Sequence, residues 1–303
     1  MTGLALDIGG TKLAAGLISP DGELLDEKRS PTPATRVWDA AATLLRAVAD
    51  GHAITGVGIA SAGPVNIEAG TVSPLNIPDW RDFPIVDAVR ELFPGVPVRM
   101  AMDGTCTALG EYRFGAGRGT GNMLGMIVST GVGGGVLLDG RPVGGRTGNA
   151  GHIGHVVVPG AEDIACACGG IGCLEAVASG PSSVRWANEQ GWTGSTGLEL
   201  SESAQAGDAI ALAALRRSGT AVGVAIASAA ALLDLDLAVV GGGFAQSGPP
   251  MWESMRRAAA ARAGLSFTRG LRIVPAELGG RATLIGAGAL TLGDQPDPGF
   301  VQA

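Results

Sequence analysis

Positive charge is scarce in this sequence. The 21 lysines and arginines are outnumbered by 28 aspartates and glutamates, for a formal net charge of −7. Phosphate backbones demand a basic face, so this balance argues against broad nucleic-acid binding, although not against a local anion site. A secretory leader is also lacking. The opening MTGLALDIGGTKLAAGLI has no basic stretch, and Asp7 interrupts its apolar run. Cysteine is sparse, with 4 in 303 residues, three of them within residues 166–173. That is no disulfide scaffold; in a reducing compartment such a cluster points to metal, and the chain is expected to be cytoplasmic. Low-complexity tracts and long charge runs are absent. The longest apolar run, TAVGVAIASAAALLDLDLAVV, has the length of a membrane span. Its small residues, Asp234, Asp236 and the glycines that follow read instead as a buried helix, a turn and a strand.

What is present in quantity is glycine, at 51 residues, with 46% hydrophobic residues. The glycines follow no collagen period, so they suggest tight turns and close backbone approach to ligands. The length allows two modest domains sharing a cleft. Along the chain, LALDI and LAAGLI read as strands around GGTK, and an Asp-Gly turn leads into LLDEKR. VWDAAATLLRAVAD has helical spacing, ITGVGIAS is a buried strand, and VDAVRELF is a short helix. VPVRMAM is a strand that delivers Asp103 to the mouth of a helix. NMLGMIVSTGVGGGVLLDGRPV then repeats the opening plan of strand, glycine turn, strand and Asp-Gly turn, which hints at internal duplication. A long helix over 208–232, the strand LAVVGGG, a helix over 250–263, the strand LRIVPA and the helix TLIGAGAL follow, and residues 291–303 are expected to fray.

Two turns suit phosphate. In DIGGTK, Gly9 and Gly10 let backbone N–H groups approach an anion, Thr11 offers a hydroxyl, Lys12 follows, and Asp7 can orient a hydrated Mg²⁺. In STGVGGG, Ser129, Thr130, Gly131 and Gly133 form a second such turn. Either alone could be an ordinary glycine hairpin; two in matching places favour phosphate binding. Neither a P-loop nor a dinucleotide fingerprint is present. Gly242 and Gly243, after a strand, could let a nucleoside lie against backbone.

Cys166, Cys168 and Cys173 form C-x-C-x₄-C among glycines, and His155 can complete a closed Cys₃His tetrahedron, which suits structural zinc rather than chemistry. Three buried cysteines in a glycine-rich loop are the plainer alternative. Cys106 reads as a small buried apolar residue. Asp103 reads either as a helix cap or as a general base.

Paired phosphate turns in a duplicated chain resemble the sugar kinase/Hsp70/actin superfamily. With GIASAGPV, MDGTCTALGE and CACGGIGCLE in order, nearly the whole chain resembles the ROK family of repressors, open reading frames and kinases. The resemblance implies a duplicated two-lobed α/β fold, actin-like and ribonuclease H-like, with an interdomain cleft. It implies a smaller lobe over 1–115, with a C-terminal helix over 284–303 packing back on it, and a larger lobe over 116–283 carrying the zinc loop. It further implies ATP with Mg²⁺, the zinc ligands named above, Asp103 as catalytic base, and a homodimer; no nucleic-acid or membrane partner is expected. A sugar contact is implied for Glu175, otherwise an exposed helix carboxylate; Gly63, His155 and Asn76 are further expected sugar contacts, Asn76 as a neighbour that could fill the gap at Met102 and let glucose be accepted.

Two positions depart from the family pattern. Met102 stands where an Asn precedes the catalytic Asp, and His152 stands where a sugar-binding Glu is usual. A site that loses a buried hydrogen-bonding partner discriminates strongly between substrates. The expected activity is therefore ATP-dependent phosphorylation of the 6-hydroxyl of a hexose, with an amino sugar such as kanosamine (3-amino-3-deoxyglucose) placed ahead of glucose or an N-acetylhexosamine. A sugar-responsive repressor is the reading of another class. It is disfavoured because the first phosphate-turn strand begins at Leu4, which leaves no room for a helix-turn-helix.

Overall fold

The structure, a computed structural model, describes residues 2–292. Residues 293–303, most of the expected frayed tail, lie outside the described residues. In chain order the elements are β1 (Thr2–Ile8), β2 (Lys12–Ile18), β3 (Leu24–Pro31), α1 (Val37–Ala49), β4 (Ile54–Ser61), β5 (Val65–Asn66), β6 (Thr71–Val72), α2 (Ile85–Leu92), β7 (Val98–Met102) and α3 (Asp103–Phe114). There follow β8 (Met123–Val128), β9 (Val132–Leu138), β10 (Arg141–Pro142), α4 (Leu174–Ala178), α5 (Gly180–Glu189), α6 (Gly197–Gln205), α7 (Ala209–Leu233), β11 (Leu237–Gly241), α8 (Pro249–Ala260), β12 (Arg272–Pro275) and α9 (Ala282–Ala289).

Contacts divide the chain into two compact units. The first comprises residues up to Gly119, Gly135–Gly151 and residues from Glu277 onward; the second comprises Thr120–Gly134 and His152–Ala276. Residues 135–151, which the sequence places in the larger lobe, thus group by contacts with the first unit. One sheet has the order β3-β2-β1-β4-β7 and the other β10-β9-β8-β11-β12. In each, strands consecutive in sequence lie side by side, and two later strands add in parallel on the other flank. This is the duplication expected from the two Gly/Thr turns.

The two faces of the first sheet differ in side-chain size. Leu4, Leu6, Ile8, Leu13, Leu17, Val57 and Ile59 belong to a fully buried cluster with Val37, Ala41, Leu45 and Val48 of α1. Most of the intervening residues, among them Gly3, Ala5, Gly16, Gly56 and Gly58, are small. Against them lies α9: a Cβ at Gly58 would overlap the Ala287 carbonyl, and one at Gly286 would overlap the Cys106 carbonyl. Period-two alternation of large and glycine is therefore what lets a helix sit unusually close to this sheet. Arg113 Nη1 donates to the carbonyls of Ala289 (3.0 Å) and Leu292 (2.8 Å), and Arg99 Nη1 to that of Leu290 (2.8 Å), so cations close the C-terminal end of α9.

Glu111 on α3 is fully buried. Its Oε2 accepts from the backbone N–H groups of Ala116 (2.9 Å) and Glu277 (3.1 Å), and Oε1 from Leu278 (2.8 Å). One carboxylate thus anchors both the end of the α3 segment and the return of the chain into this unit. In the second unit α7 is long and apolar enough to cross a membrane by length and composition, yet 61% of its most apolar window is buried. It packs on α8, where Gly219 and Gly223 meet the backbone of Met251 and Met255. Asp234 ends α7 in a left-handed conformation (φ 52°) before β11, which is the helix, turn and strand read from the sequence.

Candidate functional site

Strands β1, β4 and β7 run parallel, with Ile8 beside Ser61 and Ser61 beside Met102. Their carboxyl ends bring Asp7 and Asp103 to one edge of the first sheet, the edge where open parallel sheets hold ligands. Met102 takes the helix-capping position, and Asp103 is the first residue of α3. Asp103 Oδ1 accepts the Gly104 N–H at 2.6 Å. The two aspartates keep a little accessible surface, but protein surrounds both carboxyl groups. Burial pushes Asp103 up to about 6, against the pull of the Gly104 hydrogen bond. Burial and then the negative charge of Asp103 push Asp7 up to about 7, while Lys12 and Arg29 pull the other way. Such a pair can share a cation or accept a proton near neutral pH.

The first glycine turn is closed by Gly9 N–H donating to the Lys12 carbonyl (3.1 Å) and by Thr32 Oγ1 donating to the Gly9 carbonyl (2.7 Å). Gly10 has no room for a Cβ because the Asn76 side chain fills that space, so Asn76 lies directly on this turn. Thr11 and Lys12 are exposed. Gly63 precedes Pro64 through a cis peptide. The next residue, Val65, is bonded at both its N–H (2.9 Å) and its carbonyl (2.6 Å) by the amide of Asn149. Met102 is 1% exposed. Cys106 is buried as expected, its thiol pushed well up by burial and by the charges of Asp103 and Asp7.

In the second unit, Ser129, Thr130 and Gly243 line a cavity of about 510 Å³ together with residues of α5 and the 195–198 segment. That volume suits a nucleoside-sized ligand. Ser129 N–H donates to the Gly131 carbonyl (2.8 Å), and Gly180 N–H to the Ser129 carbonyl (2.8 Å). Gly242 holds φ 99°, and a Cβ there would strike the Val128 backbone. A capping box starts α6: Thr196 accepts from Glu199 N–H, and the Glu199 carboxylate accepts in return.

His155, Cys166, Cys168 and Cys173 place their ligand atoms within 4.8 Å of one another. Cys168 Sγ lies 3.7 Å from Cys173 Sγ, and Cys166 Sγ lies 3.8 Å from His155 Nδ1. With zinc–sulfur bonds near 2.3 Å, a tetrahedral edge is about 3.8 Å, which these two separations match, so the donor set suits a four-coordinate ion. Burial and the two neighbouring thiols push Cys173 up to about 12, a cost that a divalent cation reverses. His152 stacks obliquely on His155 with ring centroids 5.6 Å apart. Burial and then His155 lower the His152 pKa, while Glu175 raises it.

The family model described as ROK family matches residues 3–294. The chain belongs to the ROK family. Its sequence is similar to a glucokinase of Streptomyces coelicolor, at 33% identity over 97% of this chain and 98% of that one. It is similar also to an N-acetylmannosamine kinase of Yersinia pseudotuberculosis, at 35% identity over 79% of this chain and 82% of that one. Among solved structures, a ROK glucokinase from Streptomyces griseus in complex with glucose and AMPPNP superposes with a TM-score of 0.83, at 33% identity, over 96% of this chain and 99% of that one.

Within this ROK chain, the first unit gathers Asp7, Gly9, Gly10, Thr11, Lys12, Gly63, Asn76, Met102 and Asp103, and the second gathers the remaining candidate site residues. Glu175 is the one whose contacts were unforeseen. Besides lying near His152, its Oε2 accepts the Val132 N–H at 2.8 Å. Sequence reasoning missed Asn149, the Gly180–Pro181 helix start and Phe244 behind the second turn. The T-x-x-E box at Thr196 and the Gly-Pro after Ser179 are legible helix starts that could have pointed to this side of the cavity.

Proposed function

We propose that this protein phosphorylates the 6-hydroxyl of a free hexose at the expense of ATP. The observation that carries the reading is the Asp7–Asp103 pair, with Asp103 poised to take a proton near neutral pH. In the proposed step the Asp103 carboxylate accepts the proton of the 6-hydroxyl as that oxygen attacks the γ-phosphorus in line. The bond from phosphorus to the bridging oxygen breaks, and ADP leaves. The first unit supplies the base and the turn at Gly9, Gly10, Thr11 and Lys12. The second supplies the turn at Ser129, Thr130, Gly131 and Gly133, with Gly242 and Gly243 beside the nucleoside. Mg²⁺ carried with ATP would neutralise phosphate charge, with Asp7 as its protein-side partner. His155, Cys166, Cys168 and Cys173 would hold a structural Zn²⁺.

The relatives named above support a sugar as acceptor; Gly63, Asn76, Met102, His152, His155 and Glu175 are proposed as its contacts. Buried Met102 offers no hydrogen-bond donor. A neutral His152 offers one donor and one acceptor, where a carboxylate offers acceptors alone. Both changes favour a 3-amino-3-deoxy hexose over glucose. The protein is further proposed to act as a cytoplasmic homodimer, with functional lobes over 1–115 plus 284–303 and over 116–283.

An ADP-release screen over glucose, mannose, their N-acetyl forms and the 2- and 3-amino glucoses tests the reading. Turnover with at least one hexose is expected, fastest with the 3-amino sugar. Equal or better rates with glucose refute the amino-sugar preference, and ADP release with none of them refutes the activity.

A further inference from the structure

The turn at Ser129–Val132 is held from outside at three backbone atoms, all within the second unit. Gly180 N–H bonds the Ser129 carbonyl, and Glu175 Oε2 accepts the Val132 N–H. Gly154 lies so close to the Val132 carbonyl that a Cβ there would overlap it. A Cβ on Gly131 would lie 2.7 Å from Glu175 Oε2, so the carboxylate presses on the turn itself. Two of these supports adjoin metal-ligating residues. Gly154 immediately precedes His155, and Glu175 follows Cys173 by two residues. The two ligand-bearing segments are stitched together by Leu174 N–H to the Val156 carbonyl (2.9 Å) and by Val158 N–H to the Gly172 carbonyl (3.0 Å).

We infer that the Cys₃His site positions the second phosphate turn through Glu175, so that metal and nucleotide binding are coupled. This rests on the proposed nucleotide role of that turn. An ion drawing His155 and Cys173 together fixes Gly154 and Glu175 on either side of Val132. Without the ion, both supports are free to drift, and the turn loses the amide geometry that an anion needs. Glu175 is a positioning residue in this role. Coupling between sites is reciprocal, so nucleotide must tighten metal retention by the same factor by which metal tightens nucleotide binding.

The test measures Zn²⁺ transfer from the protein to a chromogenic chelator at equilibrium, with and without ADP, and ADP affinity by calorimetry on zinc-loaded and zinc-free protein. ADP is expected to strengthen Zn²⁺ retention about tenfold, and zinc to strengthen ADP binding equally, within the usual range for coupled sites. Glu175→Gln keeps an acceptor for Val132 N–H and should keep the coupling; Glu175→Ala should bind zinc through intact ligands yet lose it. Should Glu175→Ala fail to fold, hydrogen exchange in the wild type decides: zinc removal should speed exchange at the Val132 amide selectively. Zinc-loaded protein that binds ADP but holds zinc equally well without it overturns this inference and leaves the proposed function standing. So does undiminished coupling in Glu175→Ala, or unchanged Val132 exchange. Zinc-loaded protein that binds no ADP overturns both.

Discussion

Asp103→Asn should make the protein more stable while abolishing turnover, and the gain should depend on pH. The folded-state pKa of Asp103 is raised from 3.8 to about 6, mainly by burial. Because the folded pKa lies above the unfolded one, folding disfavours the carboxylate. Nothing is lost well below pH 4; the cost grows as pH rises towards 6 and is constant above it. A shift of roughly two units corresponds to about 3 kcal/mol at pH 8, and about half of that at pH 5. Asparagine is nearly isosteric and keeps an acceptor for the Gly104 N–H, so it removes the charge and little else. Neutralising position 103 also eases ionisation of Asp7, whose pKa the Asp103 charge raises, which adds to the gain. At a few degrees per kcal/mol, the Tm at pH 8 should rise on the order of 5–10 °C. The assay is thermal unfolding of wild type and variant from pH 4.5 to 8, without sugar, nucleotide or Mg²⁺. A variant no more stable than wild type at pH 8, or a gap that does not shrink below pH 6, would refute the argument that burial poises this carboxylate.

Two further outcomes follow from the same structure. Because the proposed base must be ionised, kcat/KM for the proposed hexose should be flat above neutrality and fall about tenfold per pH unit below about 6; a rate maximum at pH 5 would contradict the proposed role of Asp103. Glu111→Ala strips the acceptor from three part-buried backbone N–H groups, at roughly 1–3 kcal/mol each before relaxation. Urea unfolding should report a loss on the order of 3–5 kcal/mol, with Glu111→Gln intermediate; a loss under about 1 kcal/mol would show that water replaces the carboxylate.

Local chemistry carried much of the fold in the sequence. Apolar alternation and the Gly/Thr and Asp-Gly turns marked both sheets, because period-two patterning and positive-φ turns are short-range properties. The Cys₃His set was legible for the same reason: three of its ligands fall within eight residues. Long-range relations were not legible. Glu111 looks like any surface acid of a helix, since nothing near it announces that the chain will return at residues 277–278 to use both of its oxygens. Residues 135–151 follow a strand of the second sheet, and only tertiary contacts assign them to the first unit. Asp103 was legible as a helix-start acid; its raised pKa depends on what surrounds it and has no sequence signature. Glu175 was expected to face a sugar, and its bond to Val132 joins residues 43 apart in sequence.

The seat of α9 has a consequence for biosynthesis. The small-residue face of the first sheet is made of strands β1, β2 and β4, all translated early, whereas the helix that covers it spans Ala282–Ala289. A nascent chain therefore carries that face uncovered throughout translation of the second unit, and the unit that is begun first on the ribosome is completed last.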